Sequence, residues 1–234
     1  MKKNIYYIGE IILISGIITD QIILFAISRL FKVSPEEIIK GRNYELIFLF
    51  LLLSTAIIFL FFYLFQKTDT QSEKKLEIPI FKDFSKRTIQ ISLTAFTFLF
   101  LFMLVTSPII RYFFNVDTFN NPLLENLKSG RDFLLMLICG VVGGALREEL
   151  QRSFVLQRFE VIFNIPIAGL FIWSIYFAMG HLNQGVPAVF VIGFIGLGLG
   201  WLYLKFKKFD INFLTHTFFN IFTLLSFFIY KNFL

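Results

Sequence analysis

The chain has 234 residues, a formal net charge of +6, 56% hydrophobic residues and a mean hydropathy of +0.73. A soluble domain is apolar over roughly 45–50% of its residues, so an ordinary soluble fold is excluded. The positive charge is modest and lies mostly between apolar runs, which reads as membrane topology and not as nucleic-acid binding. Cys139 is the single cysteine, so an intrachain disulfide and a CxxC metal site are both excluded.

Seven hydrophobic segments follow in chain order, at 5–31, 45–66, 88–110, 132–160, 166–182, 187–205 and 211–230. About 20 apolar residues cross the hydrocarbon core. Backbone polar groups there are satisfied as helices, and the period-two alternation of a membrane barrel is absent. The expected fold class is therefore all-α, a polytopic transmembrane bundle of about seven spans. The first segment follows Met1-Lys2-Lys3 but carries Glu10 and Asp20 and lacks a small-residue cleavage site. It reads as a retained helix, with both acids facing protein or the interface.

Polar stretches lie at Ser34 to Arg42, Gln66 to Arg87 and Arg111 to Arg131. The middle one is the most basic, with Lys67, Lys74, Lys75, Lys82, Lys86 and Arg87. Together with Lys2, Lys3, Arg147 to Arg158, Lys205, Lys207 and Lys208, it favours a cytoplasmic N-terminus by the positive-inside rule. The Phe-, Ile- and Lys-rich composition suits a bacterial inner membrane. Gly140/Gly144 and Gly196/Gly200 are small-xxx-small pairs that allow close helix packing in lipid.

The fourth segment contains Arg147-Glu148-Glu149-Leu150-Gln151-Arg152 between apolar runs. Intramembrane charges are costly and point to function, although a helix end with solvated charges accounts for these residues equally well on their own. Glu148 and Arg152 are i,i+4 neighbours, and Glu149 and Arg152 are i,i+3 neighbours. An arginine there can hold one carboxylate charged while the other binds water or a metal. The chain's two histidines, His181 and His216, both lie in apolar segments. Phe177 stands four residues before His181, and Asn220 four after His216 on the same helix face. Carboxylate and imidazole together can ligate zinc or act as general base. Imidazole and carboxamide can donate to an oxyanion. HExxH, GxSxG and a lysine-bearing phosphate loop are all missing, and Ser153 has no histidine adjacent in sequence.

Glu148-Glu149…Arg152, Phe177-xxx-His181 and His216-xxx-Asn220 resemble the three motifs of the CPBP intramembrane proteases, the CAAX protease and bacteriocin-processing (Abi) family. The resemblance covers about residues 130–225, so the chain divides into N-terminal helices and basic loops over 1–125 and a catalytic core over 126–234. It implies an intramembrane endopeptidase acting on membrane-associated, lipidated or leader-bearing peptides. Glu148 would activate water beside His181, His216 and Asn220 would stabilise the tetrahedral intermediate, and Glu149 would support or be a second ligand. Arg152 and Phe177 would be supporting residues. A zinc ion on Glu148, His181 and His216, or a metal-independent glutamate base, would both serve the chemistry. Expected partners are membrane lipids and a peptide or protein substrate.

The family's usual Glu-Glu-xxx-Arg would put arginine at 153, where this chain has Ser153, with Arg152 one residue earlier. A non-catalytic adaptor or bacteriocin-immunity protein on the same scaffold is the alternative that this departure favours. A proton-relay transporter is a third reading, and the repeats common in transporters are absent. Straight full-length spans would start the two histidines near opposite faces. A funnel to mid-membrane is therefore expected only if His181 is deep or the intervening helix is short or tilted.

Overall fold

A computed structural model describes residues 2–68, 80–116 and 121–233. Lys74 and Lys75, assigned above to a basic loop, lie outside the described residues. Helices α1 (Lys2–Ser15) and α2 (Thr19–Phe31) form the first segment, followed by the short α3 (Pro35–Ile39). Helices α4 (Tyr44–Thr68) and α5 (Lys86–Phe114) come next, then the short α6 (Pro122–Glu125). The fourth segment is α7 (Gly130–Cys139), a π-helical stretch (Gly140–Arg147) and α8 (Glu148–Val161), and α9 (Pro166–Met179), α10 (Val186–Phe206) and α11 (Phe209–Phe233) complete the bundle.

All seven expected segments are helical, and the described residues contain no strand. Five helices are long and apolar enough to cross a membrane alone: Ile5–Phe31, Tyr44–Gln66, Lys86–Phe114, Val186–Phe206 and Phe209–Ile229. The other two expected spans differ for physical reasons. The 130–161 stretch carries the charged cluster, and α9 has 14 residues, about 21 Å of rise.

Local chemistry sets the helix ends. Ser34 and Ser129 make capping boxes with Glu37 and Asp132, and Ser85 caps α5 by accepting from Thr88 N. Pro166 and Pro187 occupy the first turns of α9 and α10, where a missing N–H costs nothing.

Polar contacts tie the loops together at each end of the bundle. At one end Asp210 accepts from the backbone of Lys82 and Asp83 at 3.1 and 2.9 Å, and Lys208 pairs with Asp83 at 2.5 Å. At the other, Asn126 donates to Lys40 O at 2.8 Å, and Lys231 donates to Glu125 O at 3.0 Å. Between the ends, α8 is buried along most of its length. The acids of the first segment, expected to face protein or the interface, both face protein: Glu10 pairs with Arg158 of α8 at 2.6 Å, and Asp20 pairs with Arg147 at the end of the π-helix.

Candidate active site

The site forms where α8, α9 and α11 meet. Glu149 is fully buried and accepts from every side. Arg152 Nη1 reaches its Oε1, His216 Nδ1 lies 2.7 Å from the same oxygen, and Asn212 Nδ2 donates to Oε2 at 3.1 Å. A buried carboxylate is stable only with such partners. Glu148 stands differently. Its side chain is 19% exposed, against 0% for Glu149, and His216 Nε2 lies 3.8 Å from its Oε2. One imidazole therefore faces both carboxylates, one through each ring nitrogen.

Arg152 answers the displaced motif. The helix from Glu148 onward is regular α-helix, so Arg152 sits at i+3 from Glu149 and on its face. Its guanidinium also lies over the Phe177 ring, 4.8 Å from the centroid. Ser153, at the family's usual arginine position, is buried.

Phe177 joins the second motif to the third. Its ring is 5.0 Å from that of His181 and 6.3 Å from that of His216, edge-on to both. His181 Nδ1 lies 3.0 Å from Phe177 O, so the imidazole folds back over the end of α9. Phe177 relates the two histidines, which straight spans would start near opposite faces. A Cβ on Gly196 would meet Phe177 Cδ1 at 3.0 Å, and Gly196 is about three turns into α10. Phe177 thus lies well below the start of α10, His216 is about two turns into α11, and the Phe177 ring stands between the two imidazoles.

Asn220 is brought to the same face of α11 but against the π-helical stretch. Its Nδ2 donates to Gly140 O at 2.8 Å. A Cβ on Gly144 would lie 2.5 Å from that nitrogen, so glycine is required for the approach. A side-chain donor inserted at a helical carbonyl disturbs the regular ladder, and Gly140 is the first residue of the π-helix. Isolated π-turns recur at functional sites.

Asn212 was missed from sequence. Its signal was present, because Asn212, His216 and Asn220 recur every fourth residue on one face of α11. Among the described residues no group of three His, Cys, Asp or Glu side chains is placed to hold a metal; Glu149 engages His216 Nδ1, which leaves Nε2, on the Glu148 side, as the nitrogen able to accept from water or to ligate a metal.

Fold and site together define an integral-membrane helical bundle with a buried carboxylate–imidazole centre. Residues 130–222 match the family model described as Type II CAAX prenyl endopeptidase Rce1-like. The match bears out the family resemblance over that segment, which contains every candidate residue from Glu148 to Asn220. No curated protein and no solved structure matches the chain.

Proposed function

We propose that the chain is an intramembrane endopeptidase in which Glu148 is the general base. The observation that carries this reading is the asymmetry of the two adjacent carboxylates. Glu149 is enclosed by Arg152, His216 and Asn212, whereas Glu148 is partly open and faces His216 Nε2 across 3.8 Å. That separation lets one water touch both groups.

In this mechanism Glu149 accepts from Nδ1–H and fixes the imidazole's tautomer and orientation. Glu148 takes a proton from the water as its oxygen attacks the scissile carbonyl carbon. The C–N bond then breaks, and the proton passes from Glu148 to the leaving amine. Asn220 uses one N–H on Gly140 O and has a second to offer the oxyanion; His181, whose ring lies against Phe177, is assigned a place beside the attacking water. Preorganised donors of this kind are worth a few kcal/mol each. No step runs through a metal.

The substrates proposed are membrane-associated peptides, lipidated or leader-bearing, as the matched family's description suggests. The test is cleavage of a prenylated CAAX peptide and its unprenylated counterpart by the protein reconstituted in liposomes. Wild type is expected to cleave, and Glu148→Gln to lose at least about 100-fold in kcat with its thermal midpoint unchanged. Chelator treatment separates a metal-independent glutamate base, which keeps its activity, from a zinc centre on Glu148, His181 and His216, which loses it. A phenotype unaffected by Glu148→Gln would instead support the non-catalytic adaptor.

A further inference from the structure

The face of the 147–158 helix opposite the carboxylates is held by the N-terminal third of the chain, outside the family match. Arg147 is the last residue of the π-helix, and Glu148 follows it. Arg147 Nη2 pairs with Asp20 Oδ2, Arg147 Nε donates to Ser54 Oγ at 2.8 Å, and Ser54 Oγ donates to Asp20 Oδ1 at 2.5 Å. The three side chains close a ring of contacts across α2, α4 and the π-helix. Ser54 is fully buried, and the Arg147 side chain is 11% exposed. Even the break between α1 and α2 is shaped around this ring. Gly16 has φ +85°, and a Cβ there would meet Asp20 Oδ2 at 2.8 Å and Arg147 Nη2 at 2.9 Å. One turn onward, Gln151 Nε2 donates to Ile14 O at 2.8 Å on the same face.

A π-helix is a costly departure from the α ladder, and its end sets the rotation of everything that follows. Each residue turns a helix by about 100°, so a slip of one residue at 147 would swing Glu148 and Glu149 off the α11 face. Resting on the endopeptidase reading, we infer that Asp20 and Ser54 are positioning residues, which act through Arg147 to hold Glu148 opposite His216. The N-terminal helices thereby belong to the working site and are more than a membrane anchor.

The chain's two histidines provide a readout that needs no substrate. Full-length protein with isotope-labelled histidine is prepared in nanodiscs as wild type, Glu148→Gln, Asp20→Asn, Ser54→Ala and Glu10→Gln. The last variant breaks a second ion pair on the same face, Glu10 of α1 with Arg158 of α8, and controls for general loosening. Asp20→Asn, and more mildly Ser54→Ala, are expected to move the His216 ring resonances in the direction seen with Glu148→Gln. They should also lower kcat by roughly 10–100-fold with KM within about two-fold. Glu10→Gln is expected to leave the His216 resonances in place. His216 resonances unmoved in both Asp20→Asn and Ser54→Ala, or moved equally by Glu10→Gln, would overturn the inference. If wild type cleaves no peptide, the endopeptidase reading fails, and the resonances still decide whether the ring positions Glu148.

Discussion

His216 of α11 and Glu149 of α8 form a buried imidazole–carboxylate pair, with Nδ1 and Oε1 separated by 2.7 Å. Arg152 shares the same carboxylate oxygen and Asn212 donates to the other, so the pair is one edge of a four-residue cluster. Removing the charge from Glu149 leaves a fully buried guanidinium without its carboxylate. Glu149→Gln is expected to destabilise the protein by about 3–5 kcal/mol, seen as a lower thermal midpoint in detergent. Glu148→Gln, at the partly open neighbour, should leave that midpoint unchanged. The contrast separates the structural carboxylate from the reactive one.

Gly144 tests the placement of Asn220. Alanine there puts a methyl group 2.5 Å from Asn220 Nδ2, which forces the amide off Gly140 O. Gly144→Ala is expected to lower kcat by roughly 10–100-fold, measured on the prenylated peptide. Gly9→Ala meets nothing within 4 Å. It should leave kcat unchanged and add about 0.5–1 kcal/mol of helix stability.

Asn212 joins Glu149 Oε2 to the backbone of α10 through Leu199 O, at 3.1 and 2.7 Å. Asn212→Ala strips a donor from two buried acceptors at once. Each unsatisfied group costs about 1–3 kcal/mol, so the midpoint should fall clearly. Thermal unfolding of Asn212→Ala beside wild type checks this, and an unchanged midpoint would remove Asn212 from the cluster.

At one end of the bundle, the Lys208 ammonium and the Ser85 hydroxyl and backbone amide hold the Asp83 carboxyl well below the usual carboxylate range. A depressed folded-state value stabilises the protein above the ordinary carboxylate range and loses that contribution as pH falls toward the folded value. Lys208→Met should therefore lower the midpoint at pH 7, and the gap from wild type should narrow as pH drops below about 4. The effect is small, because the pair is exposed and screened. A gap that widens toward acid would contradict this assignment.

Much of the fold was legible because apolar length reports a membrane helix directly. All seven segments lie near their observed limits, and of the two settings expected for Glu10 and Asp20, protein or the interface, both acids take the first. The span count was less legible, since α9 and the 130–161 stretch are apolar enough to notice but too short or too charged to cross alone. At the site, spacing grouped Glu149, Arg152, His216 and Phe177. It did not show which carboxylate Arg152 would choose, because i+3 and i+4 neighbours share a helix face. Asn212 escaped because its partners, Glu149 and Leu199 O, come from α8 and α10 and are brought to it only by packing. The Asp20–Ser54–Arg147 ring escaped because its members are separated by 34 and 93 residues, and only tertiary packing brings them together.

The shortness of α9 has a consequence for the lipid around it. Its rise of about 21 Å falls short of a hydrocarbon core of about 30 Å. A span that short is accommodated by local thinning of the bilayer, by snorkelling of flanking residues or by association, each at a fraction of a kcal/mol for each ångström of mismatch. The helix ends at Met179, two residues before His181, so the imidazole stands at one end of the shortened span. Thicker, sterol-stiffened bilayers raise that cost.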